Sequence, residues 1–137
     1  MTRIARRPVL LATAALLAGC ALLVTAGSWF VFPRSYIFFG VLHGIAVMLV
    51  IVRVTAGWGR WLWPAGLVAI LLPVAFRALL ASHPGLDAFN GPPLHWIGLV
   101  SRKPITEDYV PLFPWLGVMW WGMAGGQWVL ALLQMLR

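Results

Sequence analysis

Carboxylates are nearly missing from this sequence: Asp87, Glu107 and Asp108 are its only acids, against ten lysines and arginines in 137 residues. Charge of either sign is scarce, at 9% of the chain, where a soluble domain carries roughly a quarter. That shortage excludes a fold whose main solvent is water. Cysteine is limited to Cys20, which excludes an intramolecular disulfide and a cysteine-built metal cluster. No run alternates polar and apolar residues with period two, so an outer-membrane barrel is excluded as well. Basic clusters longer than Arg6-Arg7 or Arg102-Lys103 are missing, and the net charge of +7 therefore does not describe a nucleic-acid surface. What remains is apolar: 62% hydrophobic residues, nine of the side chains being tryptophan.

The few charges divide the chain into long apolar runs. Residues 8–33 hold none between Arg7 and Arg34, and 35–52 hold none between Arg34 and Arg53. A third run starts at Trp61 and ends near Ala81, with Arg77 close to its end, and a fourth runs from Tyr109 to Met135. A helix needs roughly 20 residues to cross the hydrocarbon core. The spacing predicts an all-α integral membrane protein, a single domain over 1–137 with transmembrane helices at about 9–32, 36–54, 61–81 and 110–135. With four spans, Arg3, Arg6, Arg7, Arg53, Arg60 and Arg137 share one side without an acid. The positive-inside rule makes that side cytoplasmic, together with both termini. The long loop 82–109 between the third and fourth helices is then extracytoplasmic, and Gly91-Pro92-Pro93 prevents it from forming one continuous helix. Leu17-Ala18-Gly19-Cys20 matches a lipobox, but the chain stays apolar through ALLVTAGSWFVF, where a mature lipoprotein turns polar.

Ionisable residues inside a span are costly and are functional candidates for that reason. His43 stands in the apolar stretch YIFFGVLHGIAVMLV, roughly 10 Å below the outer end of its helix at 1.5 Å per residue. Arg77 lies about one turn below the outer end of the third helix, and Asp108 directly precedes the fourth. His43, Arg77, Asp108 and the loop histidines His83 and His95 therefore fall in the outer half. Each has a structural alternative. His43 can bond a neighbouring helix, Arg77 can extend along its stem to the interface, Asp108 can cap a helix start, and His83 and His95 can be solvated. No spacing among the histidines makes a metal site. Tryptophans at 29, 58, 61, 63, 115, 120 and 121 fit interface belts and packing. Gly122, Gly125 and Gly126 would admit a close neighbouring helix. No inverted repeat relates the two halves, which disfavours a transporter.

Two segments are more specific than membrane composition demands: Ile37-Phe38-Phe39-Gly40-Val41-Leu42-His43, and Asp108-Tyr109-Val110-Pro111-Leu112-Phe113-Pro114-Trp115. Together they resemble the bacterial heparan-alpha-glucosaminide N-acetyltransferase catalytic-domain family of transmembrane acyltransferases, over about residues 5–130. The resemblance implies a bacterial inner-membrane enzyme that moves an acyl group from acetyl-CoA to an extracytoplasmic sugar-type acceptor. With the outer-half placement, it makes His43, Arg77 and Asp108 the candidate catalytic residues, and Tyr109, His95 and Trp115 the candidates for substrate contact. A neutral histidine serves such chemistry as general base or acyl carrier, and an arginine steadies an oxyanion or an anionic donor. Family members begin with further helices, bearing an arginine-glycine element and another histidine, that are not seen ahead of Met1 here. A non-catalytic membrane module, paired with another copy or with a partner membrane protein, is the alternative reading. No nucleic acid and no metal is expected.

Overall fold

A computed structural model describes residues 3–137, with side chains from Pro8 onward. Arg3, Arg6 and Arg7, on which the orientation partly rests, lie outside the described side chains. Among the described residues all regular structure is helical: α1 (Arg3–Val31), α2 (Val41–Thr55), α3 (Leu62–Ser82) and α4 (Leu112–Met135). Three helical stretches are long and apolar enough to cross a bilayer: Pro8–Val31, Val41–Ser82 and Leu112–Met135. The middle stretch holds both α2 and α3, joined through a 3-10 segment, Ala56–Trp61. Within it Gly59 has φ 56° and ψ −124°, a conformation that glycine alone enters freely.

The contacts give each helix its direction. Thr25 of α1 meets His43 of α2, and Leu10 and Ala14 lie beside Val50 and Arg53, so α1 and α2 are antiparallel. Gly44 lies against Val110 and Thr55 against Trp120, so α2 and α4 run the same way. Trp63 meets Trp121 and Ile70 meets Gly117, so α3 runs against α4. The end of α1 and the starts of α2 and α4 therefore meet at one end of the bundle, here the loop end. Arg53 and Arg60 lie at the other, the arginine end.

The tightest packing is between α3 and α4, and it depends on two glycines. A Cβ on Gly117 would collide with the Gly66 carbonyl and with Ile70, and one on Gly66 with the Trp121 ring. The two backbones touch because neither side chain exists. Around this crossing Met48, Leu62, Ala69, Leu112, Leu116, Trp120 and Ala124 form the buried core. The close approach expected at Gly122, Gly125 and Gly126 does not occur within the chain, since an added Cβ at each meets nothing within 4 Å. The crossing lies nearer the start of α4, so those three positions are already past it.

α1 is more peripheral. It meets α2 and the residues just before it through Ala14, Ala21, Thr25 and Ser28, whose spacing of seven, four and three residues makes one narrow stripe of small side chains. Polar groups within the bundle find partners, as a low-dielectric interior requires. Trp120 is one of them: it is buried rather than set in an interface belt, and its indole N–H donates to Thr55 Oγ1 at 2.9 Å. The Thr55 hydroxyl in turn donates to the Ile51 carbonyl at 2.8 Å.

Gly117→Ala should lower stability by roughly 1–3 kcal/mol through overpacking at the crossing. Gly122→Ala, at an open position, should hold stability or raise it. Thermal melts of the detergent-purified variants, followed by circular dichroism, compare the two; equal melting temperatures would contradict the backbone contact.

Candidate functional site

The helix expected from Tyr36 begins five residues later, at Val41. The intervening residues run beside the segment that leads into α4. Glu107 N–H donates to the Ser35 carbonyl at 2.9 Å, the Thr106 hydroxyl to the Tyr36 carbonyl at 2.8 Å, and Val110 N–H to the Phe39 carbonyl at 3.4 Å. The Ser35 hydroxyl also donates to Glu107 Oε1 at 2.6 Å. These bonds use backbone groups that helical residues at 36–40 would have kept for themselves.

The same contact completes the start of α2. Amides in a first helical turn have no partner inside the helix. Asp108 Oδ2 accepts from Val41 N–H at 2.7 Å, which also sets its negative charge at the positive end of the helix dipole. The sequence left open whether Asp108 caps a helix; it caps α2, which precedes it by 67 residues, and not its own α4. Gly40 is the condition for this, because a Cβ there would strike the Asp108 carboxylate. Gly44 admits the Val110 carbonyl in the same manner.

His43 sits in the first turn of α2 with both ring nitrogens engaged. Gly40 N–H donates to Nδ1 at 3.3 Å, and Nε2 lies 3.0 Å from Thr25 Oγ1. An amide can only donate, so Nδ1 is the acceptor and the neutral ring carries its proton on Nε2, facing Thr25. Phe39 packs beside the ring, with centroids 5.7 Å apart.

The loop adds an aromatic and polar layer. The Tyr109 hydroxyl donates to the His95 carbonyl at 2.6 Å, and Phe38 lies within 5.6 Å of the His95 ring. Burial pushes the Tyr109 phenol up to about 12, so it remains a donor throughout the neutral range. His95 Nε2 faces the Asn90 carbonyl and must donate there, so in the neutral ring Nδ1 is the acceptor. That atom is buried and has no hydrogen-bond partner. Alongside it a groove of about 600 Å³ is lined by Asp87, Asn90, His95, Arg102 and Lys103, among others. Asn90 organises the groove wall, accepting from Ser101 N–H at 2.9 Å and donating to Asp87 Oδ1 at 2.8 Å.

The expected site residues thus separate into two groups. His43, Asp108, Tyr109 and His95 converge at the loop end. Arg77 is exposed on α3, which packs on α4 and not on the helices that hold His43. Trp115 is 49% exposed in the first turns of α4, and His83 is an exposed residue whose ring lies beside the Leu79 carbonyl. Thr25 and Asn90 were not singled out from the sequence. For Thr25 a signal existed: Thr25 and Ser28 are polar residues three apart in the second half of a helix that is otherwise apolar there. Asn90 reads as an ordinary turn residue.

Among known proteins, the family model described as heparan-alpha-glucosaminide N-acetyltransferase, catalytic, matches residues 1–135. No curated protein and no solved structure matches the chain. Among the described residues no group of three potential ligands is placed to hold a metal ion.

Removing the cap in Asp108→Ala should cost about 0.5–2 kcal/mol in a thermal or denaturant melt, whereas Asp108→Asn keeps an acceptor and most of that stability. The buried phenol gives a second expectation. Its folded value lies above the ordinary 10, at about 12, so its contribution is full below about pH 10 and is lost as pH rises through 12. Tyrosinate absorbance should therefore show a late component near pH 12 that vanishes in Tyr109→Phe. Its persistence in that variant would refute the assignment.

Proposed function

The chain belongs to the heparan-alpha-glucosaminide N-acetyltransferase catalytic family, and we propose that it transfers an acetyl group from acetyl-CoA to an amine or hydroxyl of a sugar-type acceptor on the extracytoplasmic side of a bacterial inner membrane. One observation carries the reading: His43 and the Asp108–Tyr109 segment, far apart in the chain, form a single hydrogen-bonded end, which Tyr109 ties to His95 on the wall of a polar groove. In this arrangement α1 to α4 each cross the bilayer. Arg53 and Arg60 mark the cytoplasmic end, and the 82–109 loop, with all three acids, the outer one. The charge asymmetry between the two ends supports that orientation.

Acetyl transfer joins the acceptor nitrogen or oxygen to the acyl carbon and breaks the bond from that carbon to sulfur. The acceptor must lose a proton, and the departing sulfur must gain one. His43 Nδ1 is the atom assigned to that proton. It holds the ring's free lone pair, and the bond it accepts from Gly40, at 3.3 Å, is longer than the usual range and weak. Thr25 fixes the ring by holding Nε2–H. The proton then passes to the leaving sulfur, and the imidazole returns to its neutral form. Asp108 acts as a positioning residue, holding the turn on which His43 stands. The acceptor's hydroxyls meet the groove wall, where Arg102, Lys103 and Asn90 stand, with Tyr109 anchoring the His95 backbone.

The donor brings an acyl group already activated as a thioester, and its phosphates call for a cation at the cytoplasmic end. Arg60, exposed in a recess with Trp61 and Pro64, fits that requirement. Arg77, exposed and on a different helix pair, is assigned no step. A second reading, a non-catalytic membrane module, is favoured by one feature: both His43 nitrogens are already bonded within the chain, as in a simple interhelical strut.

The two readings separate in proteoliposomes supplied with acetyl-CoA and glucosamine. The enzyme reading expects acetylated product from the native chain and a loss of about 100-fold or more in His43→Ala, the usual scale for a proton-transfer group. A folded native chain without turnover would leave the module reading; full turnover in His43→Ala would remove His43 from the mechanism.

A further inference from the structure

At the arginine end a groove of about 380 Å³ opens between α1 and α2, lined by Leu10, Leu11, Ala14, Val50, Arg53 and Val54. Five of these six side chains are apolar, and the sixth is a half-buried cation. We propose that the groove is a binding site for one anionic phospholipid, with the upper part of an acyl chain between the helices and the phosphate on the Arg53 guanidinium.

Three observations support this occupant. The charge on Arg53 is unmatched by any acidic side chain nearby. Asp108 binds Val41 at the opposite end of α2, about 18 Å from Arg53 along the helix at 1.5 Å per residue. Glu107 adjoins Asp108, and Asp87 follows the end of α3, also at the loop end. The carbonyls ending α2 offset part of the charge, but a guanidinium presents paired donors that a phosphate matches.

The depth also fits. Arg53 lies just before the Ala56–Trp61 bend, where Trp58 and Trp61 are 48% and 65% exposed. Exposed indoles of this kind sit at headgroup level, which sets the Arg53 guanidinium at or just beneath the lipid phosphates. The shape fits as well: from Leu10 to Ala14 the groove follows α1 for only about 6 Å. That length suits the first carbons of a chain whose remainder stays in the bilayer. It is too short for a partner helix.

The test uses the full chain, delipidated in a neutral detergent, with phosphatidylglycerol and phosphatidylcholine of matched chains, read by native mass spectrometry. The expected result is one retained phosphatidylglycerol per chain, preferred by about ten-fold or more, the scale of one charge-assisted contact. Arg53→Gln should erase the preference and Arg53→Lys keep part of it. Val50→Trp, which fills the groove from an exposed position, should weaken retention of both lipids. Arg60→Gln should leave the preference intact, and inorganic phosphate should not displace the lipid. Equal retention of the two lipids, an unchanged preference in Arg53→Gln, or an equal loss in Arg60→Gln would overturn the proposal. Circular dichroism confirms that each variant is folded. The readout does not involve acetyl transfer, so it stands or falls separately from the enzymatic reading.

Discussion

The first amide of α2 has no acceptor within its own helix, and the loop end of the molecule is organised around the carboxylate that meets it. Asp108 reaches Val41 only because Gly40 has no side chain and because the residues before α2 and before α4 run side by side. Once that bond exists, the first turn of α2 is held, His43 is held with it, and Thr25 of α1 receives the ring. Tyr109, next in sequence to Asp108, ties the loop to the same point through the His95 backbone. A single charge-assisted contact thus links α1, α2, the long loop and the approach to α4. An ionised acceptor makes such a contact stronger than one between neutral groups.

The two ends of the bundle solve opposite problems. At the loop end polar atoms are numerous, and among the described residues His95 Nδ1 is the one buried side-chain polar atom without a partner. At the arginine end cations stand without acidic partners, and the surrounding surface is apolar. Between them the helices are joined by shape: Gly66 against Gly117 on one side, and the small-residue stripe of α1 on the other. Glycine here serves close approach rather than flexibility, as expected where lipid tails offer no hydrophobic drive toward association.

Helical class and membrane composition were legible in the sequence, because charges so few and so spaced leave no other fold economical. The importance of Ile37–His43 and Asp108–Trp115 was legible as well, though only through resemblance to a family. Their meeting was not, since no local signal says that an aspartate will cap a helix formed 67 residues earlier. The start of α2 is not legible for a related reason: residues 36–40 are apolar enough to extend a helix, and tertiary bonds draw them out of it. Gly122, Gly125 and Gly126 attracted attention by their number, whereas Gly66 and Gly117 do the packing as single glycines on two separate helices. A pair of that kind shows no pattern until the helices are placed.

The distance in sequence between Val41 and Asp108 also sets an order of events during synthesis. When the residues of α1 and α2 have left the ribosome, the residue that completes the start of α2 has yet to follow. Until the loop and the approach to α4 arrive, the Val41 amide must rely on water or lipid headgroups, and the ring of His43 stands on an unfinished turn. The amino-terminal helix pair is therefore a provisional structure that the last quarter of the chain makes permanent.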